Sequence, residues 1–81
     1  MSRATIIQKL RKIINDVIGV DNEITESTNF MYDLGFDSLD ITEVLFRIEG
    51  DFKCDIRDAE SKAMETVGEL VDYINLKIAT V

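Results

Sequence analysis

The sequence predicts an all-α fold, a small four-helix bundle of three main helices plus one short helix. Three observations lead there. Apolar residues recur at helical spacing in three separate stretches. No run alternates apolar and polar residues over the length a strand needs. The chain has no proline and its four glycines are scattered, which suits helices joined by short loops.

The first helix is carried by Ile6, Ile7, Leu10, Ile13, Ile14, Val17 and Ile18, which follow the i, i+3, i+4, i+7 pattern and make one broad apolar face. It ends near Gly19. A long connection follows, from about Val20 to Gly35. Ile24, Phe30, Met31 and Leu34 within it predict a segment laid over the core. The second helix starts at Asp37–Ser38 and runs to about Lys53. A short third helix is predicted over about Asp58 to Ala63. The last helix opens at Thr66, three residues before Glu69, the spacing of a capping box. Val67, Leu70, Val71, Ile74 and Ile78 form its stripe.

At 81 residues the chain is sized for one domain, 1–81, with a small core and little room for a deep catalytic cleft. Hydrophobic residues make up 46% and charged residues 31%, a globular rather than disordered balance. The net charge is −7 and unevenly spread. Residues 1–20 set Arg3, Lys9, Arg11 and Lys12 against Asp16 alone, so an acidic body of −10 remains beyond them. Such a body repels nucleic-acid phosphate and anionic lipid and attracts basic protein surfaces. The lone Cys54 cannot form an internal disulfide or a multi-cysteine metal site, and reads as a small, partly buried side chain in a reducing compartment. With no histidine, the commonest acid–base group and metal ligand is absent. No signal peptide, transit peptide or long apolar run appears, which predicts a soluble, cytoplasmic protein.

The second helix has two apolar faces. At about 100° per residue, Ile41, Val44, Leu45, Ile48 and Phe52 fall in one arc and form the core face. Leu39 and Phe46 fall on the opposite arc, with Glu43 between them and Arg47 beside them. One core cannot reach both arcs. Leu39 and Phe46 are therefore expected to face solvent as a docking strip with a charged rim.

Ser38 begins that strip. As a nucleophile it lacks a base, and "GFDSLD" lacks the second glycine of a nucleophile elbow. The neighbouring carboxylates would oppose a developing negative charge. As a helix cap it competes with Asp37, for which Asp40 falls at the favourable third position. As a modification site it is well placed, because the first turn of a helix favours a phosphate.

The stretch "DLGFDSLD", residues 33–40, resembles the phosphopantetheine attachment motif of acyl carrier proteins. Asp37, Ser38 and Leu39 match its central D-S-L, preceded by Asp33, Leu34 and Gly35. "FKCDI" and "TVGELVDYI" resemble the family's stretches after the second helix and in the last one, so the similarity spans the chain. The resemblance implies a carrier rather than an enzyme. Ser38 would carry 4′-phosphopantetheine, delivered from coenzyme A by a phosphopantetheinyl transferase (a holo-acyl-carrier-protein synthase), and the arm would hold acyl groups as thioesters. Partners would be acyl-transferring and acyl-modifying enzymes with basic docking patches, met by Asp37, Leu39, Asp40, Glu43, Phe46 and Arg47. Phe30, Leu45, Ile56 and Ile74 would line the acyl shelter. A monomer that neither binds nucleic acid nor inserts into a membrane is implied.

Three positions depart from the family pattern. Arg47 places a cation on a helix that many members keep acidic or neutral. Gly50 sits in a helix interior, and Arg57 stands where proline is frequent. Together they imply a specialised carrier beside a housekeeping one. An aminoacyl or D-alanyl carrier shares the serine motif and remains open, as does an unmodified helical interaction module. The acidic second helix argues against a DNA-reading helix-turn-helix, and Glu26 stands where a calcium loop from Asp21 needs glycine.

Overall fold

The computed structural model describes residues 2–19, 23–56 and 64–79. Three helices are present among them, α1 (Arg3–Ile18), α2 (Ser38–Phe52) and α3 (Val67–Ala79), and no strand. The short helix expected over 58–63, and Arg57 before it, lie outside the described residues.

The helix starts and the ends of α1 and α2 have local causes. The Ser2 hydroxyl caps α1 by accepting from the Thr5 amide at 3.2 Å. Gly19 ends it in the left-handed region, φ +75°, with its N–H on the Asn15 carbonyl. Lys53 closes α2 in the same conformation, φ +53°. Thr66 caps α3 by accepting from the Glu69 amide at 3.3 Å. The reciprocal half of the expected capping box is displaced. The Glu69 carboxylate accepts from the Glu65 amide at 2.7 Å rather than from the cap residue's own N–H.

α1 packs against both α2 and α3. Its buried side chains are Ile6, Leu10, Ile13 and Ile14. Val44, Leu45, Ile48 and Phe52 of α2 and Val67, Leu70, Val71 and Ile74 of α3 complete one continuous core, with Ile7, Val17, Ile18, Ile41 and Ile78 half-buried against it. Burying each of these larger aliphatic side chains contributes roughly 1.5–3 kcal/mol.

The segment before α2 lies over the core as expected, but not with every residue named for it. Ile24 and Phe30 are buried and Leu34 is half-buried against the core, while Met31 is 67% exposed. The reason is a tight turn. The Asn29 side chain accepts from the amides of Met31 and Tyr32, both at 2.9 Å, and the Asp33 carboxylate accepts from the Asn29 amide at 2.7 Å. Gly35, at φ +68°, closes the turn with its N–H on the Met31 carbonyl. Met31 and Tyr32 therefore point outward. Phe30 and Phe36 at the turn's two ends come together, their ring centroids 5.7 Å apart.

Two contacts hold this segment to α3. An isolated bridge pairs Asn29 with Thr66. The Gly68 amide donates to the Glu26 carbonyl at 2.8 Å. Arg3 of α1 adds ion pairs to Glu26 and Asp72 at the surface.

The two glycines inside helices have opposite surroundings. A Cβ on Gly68 would stand 2.9 Å from the Glu26 carbonyl oxygen, whereas a Cβ on Gly50 would meet nothing within 4 Å. Gly50→Ala is predicted to raise the unfolding free energy by about 0.5–1 kcal/mol, because the helix interior gains a better helix former. Gly68→Ala is predicted to lower it by about 1–3 kcal/mol through the backbone clash. Urea unfolding of the two variants checks both signs.

Candidate functional site

Ser38 is the first residue of α2 and is exposed. Its place depends on what surrounds it. Phe36, two residues earlier, is buried and anchors the chain where it enters the helix. Phe36 and Ile41 flank the cap at the spacing of a hydrophobic staple, and both pack on the core. That spacing is the signal by which Phe36 could have been placed in the core from the sequence.

Between them, Asp37 and Asp40 form a complete capping box. The Asp37 carboxylate accepts from the Asp40 amide at 2.9 Å, and the Asp40 carboxylate accepts from the Asp37 amide at 3.1 Å. Both negative charges lie at the positive end of the helix dipole. The Ser38 carbonyl accepts from the Thr42 hydroxyl at 2.8 Å. The Ser38 hydroxyl takes part in no hydrogen bond with another described residue. The capping work is thus done by the residues on either side, and the serine oxygen is left accessible. The amides of Ser38 and Leu39 belong to the first turn and have no intrahelical acceptor, so the oxygen stands beside donors suited to a phosphoester.

The outer arc of α2 is as expected. Leu39 is 77% exposed and Phe46 73% exposed. Glu43 lies between them, and Arg47 Nε donates to its carboxylate at 2.9 Å. Phe30, Leu45, Ile56 and Ile74 are all buried in the same core cluster, brought together from the turn, α2, the segment after it and α3.

Cys54 follows α2 and is buried. Burial pushes its thiol pKa up, Glu49 and Asp55 add to the rise, and Lys77 opposes it. The thiol therefore stays protonated at neutral pH and is a poor nucleophile. Among the described residues, no group of acidic or cysteine side chains is arranged to hold a metal ion, and no helix is long and apolar enough to cross a membrane.

The geometry fits a covalently borne phosphate-linked group, and the comparisons with known proteins point the same way. A family model described as the phosphopantetheine attachment site matches residues 8–74. An acyl carrier protein of Lactobacillus acidophilus is 43% identical over 75 residues, which cover 91% of this chain and 94% of that protein. With a family match over most of its length and a relative of this similarity, the chain belongs to the acyl carrier protein family, carriers rather than catalysts, with a covalently attached 4′-phosphopantetheine.

Proposed function

We propose that Ser38 is the attachment point of the arm, and that the chain delivers acyl intermediates to enzymes of fatty-acid, polyketide or specialised lipid biosynthesis. One observation carries the reading: the Ser38 hydroxyl is exposed and unengaged while Asp37 and Asp40 satisfy the helix end around it. When bound, the arm supplies a thiol that holds the acyl group as a thioester. The chain's own residues hold and present it. The capping box fixes the serine at the start of a rigid helix, and the first-turn amides favour the phosphate.

Docking is assigned to the outer arc. Leu39 and Phe46 supply apolar anchors, and Asp37, Asp40, Glu43 and Arg47 supply the charged rim. The partners in this reading are a phosphopantetheinyl transferase and acyl-processing enzymes with basic surfaces. The domain spans 1–81 and acts as a monomer in the cytoplasm. Phe30, Leu45, Ile56 and Ile74 line the space in which an acyl chain is sheltered. What supports this is that the four meet in one apolar cluster drawn from the turn, α2, the segment after it and α3.

Incubation with coenzyme A and a phosphopantetheinyl transferase is predicted to add the mass of one arm, and Ser38→Ala to abolish the gain. A wild-type chain left unchanged by several transferases would sink the assignment. A helical module that works unmodified predicts instead that Ser38→Ala leaves its function intact.

Thiol titration gives a second check. Under native conditions the unmodified chain is predicted to react slowly or not at all at Cys54, and the modified chain to gain a single fast thiol. Both thiols react after unfolding. Fast reaction of the unmodified native chain contradicts the burial of Cys54.

A further inference from the structure

Arg47 has no role in the reading above beyond its place in the rim. We propose that it is a specificity-determining residue: it neutralises Glu43 in the middle of the docking face and so disfavours partners that read α2 through basic side chains alone. This rests on the assignment of Ser38 and of the docking face.

The acids nearest Ser38 keep their charge in the rim but are held by the backbone. Asp37 and Asp40 each give a carboxylate oxygen to a backbone amide of the capping box. Glu43 is the next acid along α2, one turn further and on the outer arc with Leu39 and Phe46. Its charge is the one a basic partner would meet inside the apolar strip. Arg47 reaches that carboxylate first, at 2.9 Å, with both side chains close to half exposed. The glutamate precedes its cation by four residues, the favourable order on a helix.

The neighbouring helix does not restore a negative field. Arg47 and Phe46 line a groove between α1 and α2, into which Lys12, Asp16 and Asp51 also face. From α1, Lys12 and Asp16 offset each other, and Asp51 of α2 stands on the same groove as Arg47. With Glu43 included, Lys12 and Arg47 stand against Glu43, Asp16 and Asp51, so Arg47 reduces the local charge around Phe46 from −2 to −1 on a chain that carries −7.

The fold gives little reason for Arg47. An exposed pair at this spacing contributes little to stability. A cation at the centre of a docking face has a larger effect on encounter and on which partners are rejected. The partner that fits best seats apolar side chains on Leu39 and Phe46 and does not depend on a bare Glu43.

The test is the kcat/KM for transfer of phosphopantetheine to the full chain by a transferase with a basic docking surface. It is measured at about 10 mM and about 1 M ionic strength, where charges act over about 30 Å and about 3 Å. Arg47→Ala is expected to raise kcat/KM about three- to tenfold at low salt, mostly through KM, with the gain lost at high salt. Arg47→Lys, which keeps the charge, is expected not to reproduce the gain. Adding Glu43→Gln to Arg47→Ala is expected to remove it. A fall or no change with Arg47→Ala overturns the inference, as does a gain that survives Glu43→Gln. If the wild type is modified and Arg47→Ala behaves like it, this inference alone fails. If no transferase modifies the wild type, the assignment of Ser38 fails and this inference with it.

Discussion

Two carboxylates and two backbone amides at the start of α2 decide what the rest of the surface can do. A helix begins with amides that have no intrahelical partner, and serine is among the residues that most readily satisfy them. Had Ser38 taken that role, its oxygen would be tied to the backbone and withdrawn from chemistry. Asp37 stands one residue earlier and takes it instead, while Asp40 returns the bond to the Asp37 amide. The reciprocal pair satisfies the amides of Asp37 and Asp40 without the serine. Accessibility of the hydroxyl is thus a consequence of how its neighbours are bonded.

The capping box works only if Asp37 is held in place, and that is set by the core. Phe30 and Phe36 are buried at the two ends of the turn over residues 29–35. The segment is tied to α3 by the bridge between Asn29 and Thr66, and by the close approach of Gly68 to the Glu26 carbonyl. α1 lies against both other helices and supplies the buried isoleucines that fix them. Each level limits the next. Packing places the turn, the turn places Asp37, and Asp37 leaves Ser38 free.

What could be read from the sequence was what depends on spacing. The three helices, their core stripes and the exposure of Leu39 and Phe46 follow from the 3.6-residue period, which a single chain carries plainly. The capping of α2 by Asp37 also followed, because both partners lie three residues apart. Features built by tertiary geometry were less legible. Met31 is as apolar as the buried Phe30, yet the side-chain bonds of Asn29 and Asp33 rotate it outward. Glu69 lies at capping-box spacing from Thr66, but its carboxylate extends one residue further, to the Glu65 amide. No local pattern announces the approach of Gly68 to Glu26, which lie far apart in the chain. The ion pair between Glu43 and Arg47 was implicit in their i, i+4 spacing. Its meaning became visible only once Asp37 and Asp40 were seen to be held by the backbone.

Asp37 supports the helix and Ser38 does not, a difference that the unfolding free energies of two single variants measure. Asp37→Ala is predicted to lose about 1 kcal/mol, the usual cost of removing an N-cap side chain. Ser38→Ala is predicted to stay within about 0.5 kcal/mol of the wild type, as a surface substitution with no bonded partner should. A loss on Ser38→Ala as large as that on Asp37→Ala would give the hydroxyl a structural task and show that the helix end depends on the serine.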